Sequence, residues 1–427
     1  MKGLKVLVLA AVVCALAVCV LMIPETAMAK TKEYGTLKEV IEAYDSSRCK
    51  PCHEQIYKDW EKAAHSMPIM GPFNKTLGTL QDYLKQRNPE KGELKKSNEV
   101  TKSIKEYMMP CFVCHVPQLK EMSEKAAQEL ADAVLKENYD VLEKLQINCI
   151  VCHNQMAIIR TFRDGNPEPD TVYGNKDLGG AHADKVFTKS KRHEMIEDAS
   201  FCGQCHQGPN ILHSAEPIWC VSNLDSWLQS YIPNGGDKNC QDCHMREPGT
   251  GHRFPPNYQD HKYELDRLKK HIKFEASAMA YTQQIKVPEL ISTPMVVIKT
   301  KTWSEGIGHR FTDGCPSPSH FLLKVKVTAK DGKELFNETK YYFPQKKRGD
   351  SVNTVVFASL RKLSLMRDTA LQPFKTNEET FEVKLPKEVE DATVEASLIL
   401  VIEPGVKESI YDLGSFKKFV STKGRKQ

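Results

Sequence analysis

The feature that most constrains this chain is a five-residue string, C-x-x-C-H, which occurs five times in the first 244 residues. Two thiols at this spacing can add to the two vinyl groups of one porphyrin, and the histidine that follows then lies under the iron. Ten of the fourteen cysteines belong to these strings, which leaves little room for chance or for a redox dithiol. The sequence therefore predicts five covalently bound c-type haems, each held by one set: Cys49, Cys52 and His53; Cys111, Cys114 and His115; Cys149, Cys152 and His153; Cys202, Cys205 and His206; Cys240, Cys243 and His244.

The first 29 residues have the pattern of a secretory signal peptide. Lys2 and Lys5 precede an apolar run over residues 6–23, and residues 27–29, Ala-Met-Ala, fit a small-x-small cleavage site. An uncleaved membrane anchor is the alternative, because the apolar run approaches the length that spans a bilayer. Attachment of c-type haem agrees with export, since thiols are otherwise oxidised outside the cytoplasm. We expect cleavage after Ala29 and a periplasmic or extracellular bacterial protein.

Four cysteines lie outside the haem strings. Cys14 and Cys19 belong to the predicted signal peptide and would leave with it. Cys220 and Cys315 remain, and a disulfide between them is a hypothesis for an oxidising compartment. Two buried free thiols are the alternative, because an unpaired cysteine packs as a small apolar residue.

The formal net charge of +5 overstates the basic character of the protein. Removal of Lys2, Lys5 and Glu25 with the signal peptide leaves +4. Each ferric haem with two neutral axial ligands adds about −1, because its two propionates outweigh the charge at iron. The charge therefore gives no argument for nucleic acid binding. The sequence also lacks the P-loop, G-x-G-x-x-G and H-E-x-x-H motifs, and zinc would not explain why every cysteine pair is followed by histidine.

Composition divides the chain into two parts. Residues 30–285 carry all five strings and are predicted to be helix and loop, with helical periodicity over 119–145 and 259–282. Because so few residues serve each haem, we expect the porphyrins themselves to form the core. Over residues 286–405, alternating β-rich runs and the turn signal at 330–333 predict an immunoglobulin-like β-sandwich. Residues 406–427 are expected to be a basic tail that is solvated or docks an acidic partner.

Each predicted haem iron either takes a sixth ligand or stays open for substrate. Nine histidines lie outside the five strings, so all five irons could be capped. Methionines near the first and second strings are alternative ligands, although core packing or haem contact is the favoured interpretation of them: Met67, Met70, Met108 and Met109.

Several connecting strings resemble the multihaem cytochrome superfamily of tetrahaem nitrifier cytochromes, pentahaem nitrite reductases and octahaem hydroxylamine oxidoreductases. They are W-x-x-x-x-H at Trp60, S-F-C-x-x-C-H, C-Q-D-C-H-M and G-H-R-F-P, and they cover residues 45–260. A second G-H-R-F, at residues 308–311 inside the β-rich part, is similar to that of multihaem cytochromes with a C-terminal sandwich. The resemblance implies distal iron ligands at His65, His193, His252 and His309, with His213 and His182 competing for the last place.

Three functions fit these features, and electron transfer between exported redox partners through five mostly bis-His haems is favoured. An oxidoreductase of a small nitrogen or sulfur compound would keep one iron open. However, the resembling nitrite reductases carry their active haem on a motif that ends in Lys, whereas all five strings here end in His. The tyrosine crosslink of the octahaem enzymes cannot be located either. The third function is a cytochrome subunit that polymerises, or docks in a membrane-bound or extracellular respiratory complex.

Overall fold

The computed structural model describes residues 33–71, 73, 75–85, 103–158, 166–176, 179–209, 219–258, 260–313, 319–348, 355–356 and 362–423. The predicted signal peptide, His213 and Cys315 lie outside the described residues, as does the side chain of Cys220. Across the ranges above, no helix is long and apolar enough to cross a membrane.

The N-terminal part is built from short helices, as predicted. The α-helices are α1 (Leu37–Ala43), α2 (Glu54–Trp60), α3 (Lys75–Lys85), α4 (Ile104–His115), α5 (Glu124–Leu135), α6 (Tyr139–Leu142), α7 (Ala199–His206), α8 (Asn223–Ser226) and α9 (His261–His271). Between them lie two small sheets, in which β1 (Thr171–Gly174) pairs with β2 (Lys189–Arg192) and β3 (Gln207–Pro209) pairs with β4 (Trp219–Ser222). The remaining segments are 3-10 and π-helical turns and loops.

Local sequence explains where the longer helices begin. Thr36 and Glu39 form a reciprocal capping box at the start of α1, and Ser103 and Glu106 form another at α4. Ser123 caps α5 by accepting a hydrogen bond from the backbone of Ala126. These side chains satisfy backbone N–H groups that the first helical turn leaves unpaired.

Helices α1, α3, α4 and α5 enclose an apolar core made of protein, which corrects the expectation that porphyrins alone would form it. Its fully buried members include Val40, Leu80, Met108, Phe112 and Leu130. The expectation failed because the haem strings are unevenly spaced. The long interval between the first and second strings, together with the helix after the second, supplies enough apolar surface for a separate cluster.

The C-terminal part is built from antiparallel strands. They are β5 (Ile272–Val287), β6 (Glu289–Ser304), β7 (His320–Ala329), β8 (Glu334–Tyr342), β9 (Pro344–Arg348), β10 (Val355–Val356), β11 (Lys362–Asp368), β12 (Thr376–Lys384), β13 (Asp391–Val401) and β14 (Ile410–Ser421). One sheet has the order β12-β6-β5, a second has the order β14-β13-β7-β8, and β9 pairs with β10 and β11 in a third. Inward-facing residues of the first two sheets share one buried cluster, among them Val296, Ile298, Val325, Phe381 and Leu398.

The strand-rich part extends beyond both of its predicted limits. The predicted helical stretch 259–282 is wrong after His271, because β5 begins at Ile272 and pairs along its whole length with β6. Residues 410–421 of the predicted tail form β14, which pairs with β13 and places Lys417 beside Glu395. The turn at 330–333 joins β7 to β8 as predicted, with Gly332 at a left-handed φ of 89°.

Candidate haem-binding site

All five C-x-x-C-H strings lie in helical turns or at helix ends. The second and fourth strings end α4 and α7, and the first runs from a 3-10 helix to His53, which directly precedes α2. The third and fifth strings run into π-helical turns at Val151–Gln155 and Asp242–Arg246. In a helical turn, residues i, i+3 and i+4 share one face. The local fold therefore directs both cysteines and the histidine of a string to the same side.

All fifteen residues of the strings border one cavity of about 1370 Å³. The strings enter it from α4, α7 and the turns around them, so residues far apart in the chain converge on one space. Among the described residues, five more histidines line the same cavity: His65, His182, His252, His271 and His309. The cavity thus brings together five string histidines and five others.

Three of these histidines face a string histidine at nearly the same distance. The ring centroids are 6.2 Å apart for His65 and His206, and 6.2 Å apart for His244 and His309. They are 6.4 Å apart for His153 and His252. An imidazole nitrogen binds a metal at about 2 Å, and its ring centroid lies about 1 Å further back, so two imidazoles on opposite sides of one iron have centroids about 6 Å apart. Each pair is therefore spaced to hold one iron.

The three pairs differ in the angle between their ring planes. The planes are 13° apart for His244 and His309 and 27° apart for His153 and His252, which makes both pairs nearly parallel. The planes of His65 and His206 are 89° apart. Such an angle is a property of axial ligation that spectroscopy can detect, so it offers a direct test of the pairing.

Phe254 separates two of the pairs. Its ring centroid lies 5.0 Å from that of His65 and 5.4 Å from that of His252. Its backbone adopts a left-handed φ of 44°, which is unusual for a non-glycine residue and is often found at functional sites. The next residue, Pro255, accepts a 2.5 Å hydrogen bond from Nδ1 of His244. This short segment therefore touches all three pairs.

Backbone carbonyls fix the outer nitrogen of several cavity histidines. Nδ1 of His115 lies 2.8 Å from the carbonyl oxygen of Pro68, and Nδ1 of His153 lies 2.7 Å from that of Tyr173. A carbonyl can only accept, so Nδ1 carries the proton and Nε2 keeps its lone pair. Metal-binding histidines are oriented in this way.

Burial keeps the paired histidines neutral at physiological pH. Burial is the main cause and neighbouring histidines add to it, and together they lower the pKa of His65, His244 and His252 to about 4. A neutral imidazole has the free lone pair that coordination requires. The lowered pKa values of these histidines therefore agree with the spacing of the imidazole pairs, since both suit coordination of iron.

The β-rich part contributes His309 on the loop between β6 and β7, and this loop is anchored to the helical part. The backbone N–H of Arg310 donates to Oγ of Ser226 at 2.7 Å. The carboxylate of Asp313 accepts from both the backbone N–H and the hydroxyl of Ser222, at 2.8 and 2.9 Å. Nδ1 of His271, on α9, lies 2.8 Å from the carbonyl oxygen of Glu305. These bonds hold His309 opposite His244.

Thiols of different strings also meet inside the cavity. Side chains are in hydrogen-bond contact between the first and third strings, the second and fourth, and the fourth and fifth, at Cys49–Cys149, Cys114–Cys205 and Cys202–Cys240. Each string is therefore adjacent to at least one other. A group attached to any string would have a close neighbour.

The structure distinguishes among the remaining candidate ligands. His182 lines the cavity, and its Nδ1 lies 2.7 Å from the carbonyl oxygen of Phe187. His193 does not line the cavity; its Nδ1 lies 3.2 Å from the backbone N–H of Met195, from which it accepts a hydrogen bond. A nitrogen that accepts from N–H is deprotonated, so the proton of neutral His193 sits on Nε2. The sequence analysis did not single out His271, since its place on a charged helix gives no local signal.

The residues present fit five c-type haems, since fifteen attachment residues and three correctly spaced imidazole pairs converge on one cavity. No protein-family model and no curated protein matches the sequence. Among solved structures, a penta-heme cytochrome c552 from Thermochromatium tepidum is similar over 89% of this chain and 99% of its own length, with a TM-score of 0.54 and 16% sequence identity. This chain has the fold of a multihaem cytochrome.

Two further solved structures match only about a third of the chain. They are a structural-genomics target named SoR45 and a protein named ApaA from Bordetella pertussis, each 12% identical with a TM-score of 0.20. They cover 37% and 36% of this chain and 91% and 96% of their own chains. Likenesses this weak do not define a fold.

Proposed function

We propose that this chain is an exported electron-transfer cytochrome that carries five covalently attached c-type haems. The observation that supports it most strongly is the set of three imidazole pairs with centroids 6.2 to 6.4 Å apart. When bound, haem supplies one-electron redox chemistry at iron. The chain's own residues attach it, ligate it and exclude water.

Five residue sets would attach the haems, and the paired histidines would ligate three of them from both sides. His206, His153 and His244 are the proximal ligands in this proposal, with His65, His252 and His309 on the opposite sides. Irons closed on both sides exchange electrons without binding substrate, which is the behaviour of a carrier. Because cysteines of different strings lie next to each other, the haems attached to them would also be close neighbours.

We assign His182 rather than His193 to the first string. Asp184, two residues after His182, interacts electrostatically with Arg48 and Cys49, so this segment lies beside the first string. His182 also lines the cavity, with its Nδ1 2.7 Å from the carbonyl oxygen of Phe187, whereas His193 does not line it.

A second candidate function is that of an oxidoreductase with one open iron at the second string. Among the described residues, no ring contact pairs His115 with another histidine. One face of α3, formed by Thr76, Thr79, Leu80 and Tyr83, lines the cavity, and Tyr83 interacts with Cys111.

Carbon monoxide separates the two candidates, because it binds reduced haem iron only where a coordination site is free. Electron transfer through closed haems predicts no binding to the reduced protein. Binding of one molecule per chain that a Cys111→Ala/Cys114→Ala variant loses would support the oxidoreductase. Binding to most haems would overturn both candidates, since it would mean that the imidazole pairs do not ligate iron.

The β-rich part would form an immunoglobulin-like sandwich that supplies His309. The sheet orders β12-β6-β5 and β14-β13-β7-β8 agree with a Greek-key sandwich. In this proposal, the helical part ends and the sandwich begins at the junction of α9 and β5. Partners are expected to be exported redox proteins.

A further inference from the structure

The hairpin of β5 and β6 extends well beyond the sheet to which it belongs. The two strands pair from Ile272–Ser304 to Val287–Glu289, whereas β12 covers β6 only from Met295 to Trp303. Residues 282–294 therefore form a two-stranded arm. A ribbon of two strands alone has little stability in water, so an arm of this length gains from contact with another surface.

The outward face of this hairpin is apolar over a long stretch. Residues of β5 and β6 with odd numbers point away from the sandwich core, and the cross-strand pairs on that side are Met279–Val297, Tyr281–Met295 and Ile285–Ile291. Val287 continues the row at the tip. The exposed fractions are 41% for Met279, 48% for Ile285, 65% for Val287 and 50% for Ile291. Met295 is only 9% exposed, so we call the other six residues the apolar stripe. The polar pair Gln283–Thr293 interrupts it, and exposed apolar surface on both sides of that pair marks an interaction site.

The opposite face of the arm is mostly polar. It carries Thr282, Gln284, Lys286 and Ser292, with Leu290 as its one large apolar residue in the described arm. The arm is therefore amphipathic across its thickness. Lys286 and Glu289 at its end would lose hydration in a bilayer, which argues against insertion into lipid.

We propose that the apolar stripe is the interface of a two-fold symmetric dimer with a second copy of this chain. A two-fold axis that passes the pair Gln283–Thr293 would place Ile285 over Tyr281 of the second copy. It would also bring Glu289 close to Lys384 and Lys299 of the second copy, which border the stripe on β12 and β6. The charges that border the stripe are thus complementary between the two copies, as an isologous interface requires.

The first test is sedimentation of the full haem-containing chain and of matched variants. The wild-type protein is expected to be a dimer, and Ile285→Asp is expected to raise its dissociation constant at least about a hundredfold, because the dimer would bury two charges, one from each copy. Leu290→Asp is the matched control, since it adds the same charge on the other face of the same arm, and it should leave the dimer intact. An unchanged haem spectrum shows that each variant folds.

Three results would overturn the proposal. The first is a wild-type chain that sediments as a monomer at about 100 μM, a concentration far above the Kd of a specific dimer. The second is a Leu290→Asp variant whose dimer dissociates as readily as that of the stripe variant. The third is a wild-type protein that floats with phospholipid vesicles while the stripe variant does not, which would identify lipid as the occupant.

A charge exchange tests the two-fold arrangement itself. Glu289→Lys is expected to weaken the dimer by repulsion from Lys384 of the second copy, and adding Lys384→Glu is expected to restore most of the loss. A double variant no tighter than Glu289→Lys alone would show that the copies meet in a different register.

Discussion

His309 is a haem-ligand candidate that lies on the β-rich part while all five attachment strings lie on the helical part. Replacing it by alanine should leave one iron with a single axial ligand. The reduced His309→Ala protein is therefore expected to bind one more molecule of carbon monoxide per chain than the wild type, as measured by titration of the haem absorbance.

The control is His261→Asn, because His261 is stacked on Tyr411 outside the cavity lining. That variant should bind no more carbon monoxide than the wild type does. If His309→Ala behaves in the same way, His309 is not an iron ligand, and its distance to His244 is coincidental.

The ring planes of the three pairs predict two kinds of electron paramagnetic resonance signal. The near-parallel pairs, at 13° and 27°, are expected to give rhombic low-spin ferric signals. The perpendicular pair of His65 and His206 is expected to give a signal with one large g value. The His65→Ala variant should lose only the second signal; loss of a rhombic signal instead would contradict the pairing of His65 with His206.

Burial of the paired histidines predicts a loss of stability in acid. In the folded protein the pKa is lowered from 6.5 to about 4 at His65, His206, His244 and His252. Between these values the unfolded chain binds more protons than the folded chain, so the free energy of unfolding falls as pH drops from 6.5 towards 4. Denaturant unfolding from pH 8 to 4 measures it; constant stability below pH 6.5 would contradict the burial.

For single residues, the sequence predicted those that lie in a recognisable short string. The attachment residues follow from spacing alone, and His65, His252 and His309 follow from short strings around them. His182 and His271 lack such strings, because their roles depend on carbonyls of Phe187 and Glu305 that only the folded chain brings near. The ligand roles themselves remain predictions.

The loop between β6 and β7 is one of the elements that join the two parts of the molecule. The side chain of Asp313 is 3% exposed and accepts both hydrogen bonds from Ser222. Asp313→Ala should leave the N–H and hydroxyl of Ser222 unpaired, which costs about 1–3 kcal/mol for a buried group. The expected result is a lower unfolding free energy and partial carbon monoxide binding, weaker than that of His309→Ala.

Lys301→Met is a suitable comparison for this variant. Lys301 forms an ion pair with Glu378, but both side chains are more than half exposed, so the pair contributes little to stability. Lys301→Met should match the wild type in both measurements. If Asp313→Ala also matches it, the loop is not held by the bonds to Ser222.

Secondary-structure elements were predicted correctly where a local residue pattern fixes them. They were predicted wrongly where pairing with another strand decides the structure. The turn at 330–333 is determined by its own residues, and it is present in the structure between β7 and β8. Residues 272–282 were predicted as helix from apolar spacing, yet they form β5 because every one of them pairs with β6. Pairing with a partner strand outweighs a weak helical preference.

For the whole molecule, sequence composition indicated two parts and five haems, and the structure adds how the parts meet. The helical part has an apolar core of its own beside the cavity, and the β-rich part reaches into that cavity through the loop between β6 and β7, with Ile402 after β13 also on its wall. Neither fact could be read from composition, because both depend on which distant residues fold against each other.

The central claim is that this chain binds five c-type haems and closes at least three of them with two histidines. The most direct test is near-infrared magnetic circular dichroism of the ferric protein, combined with a haem count from the pyridine haemochrome. We predict five haems per chain, of which at least three give the charge-transfer band of bis-histidine low-spin iron. Fewer than five haems, or fewer than three irons with that band, would contradict the account.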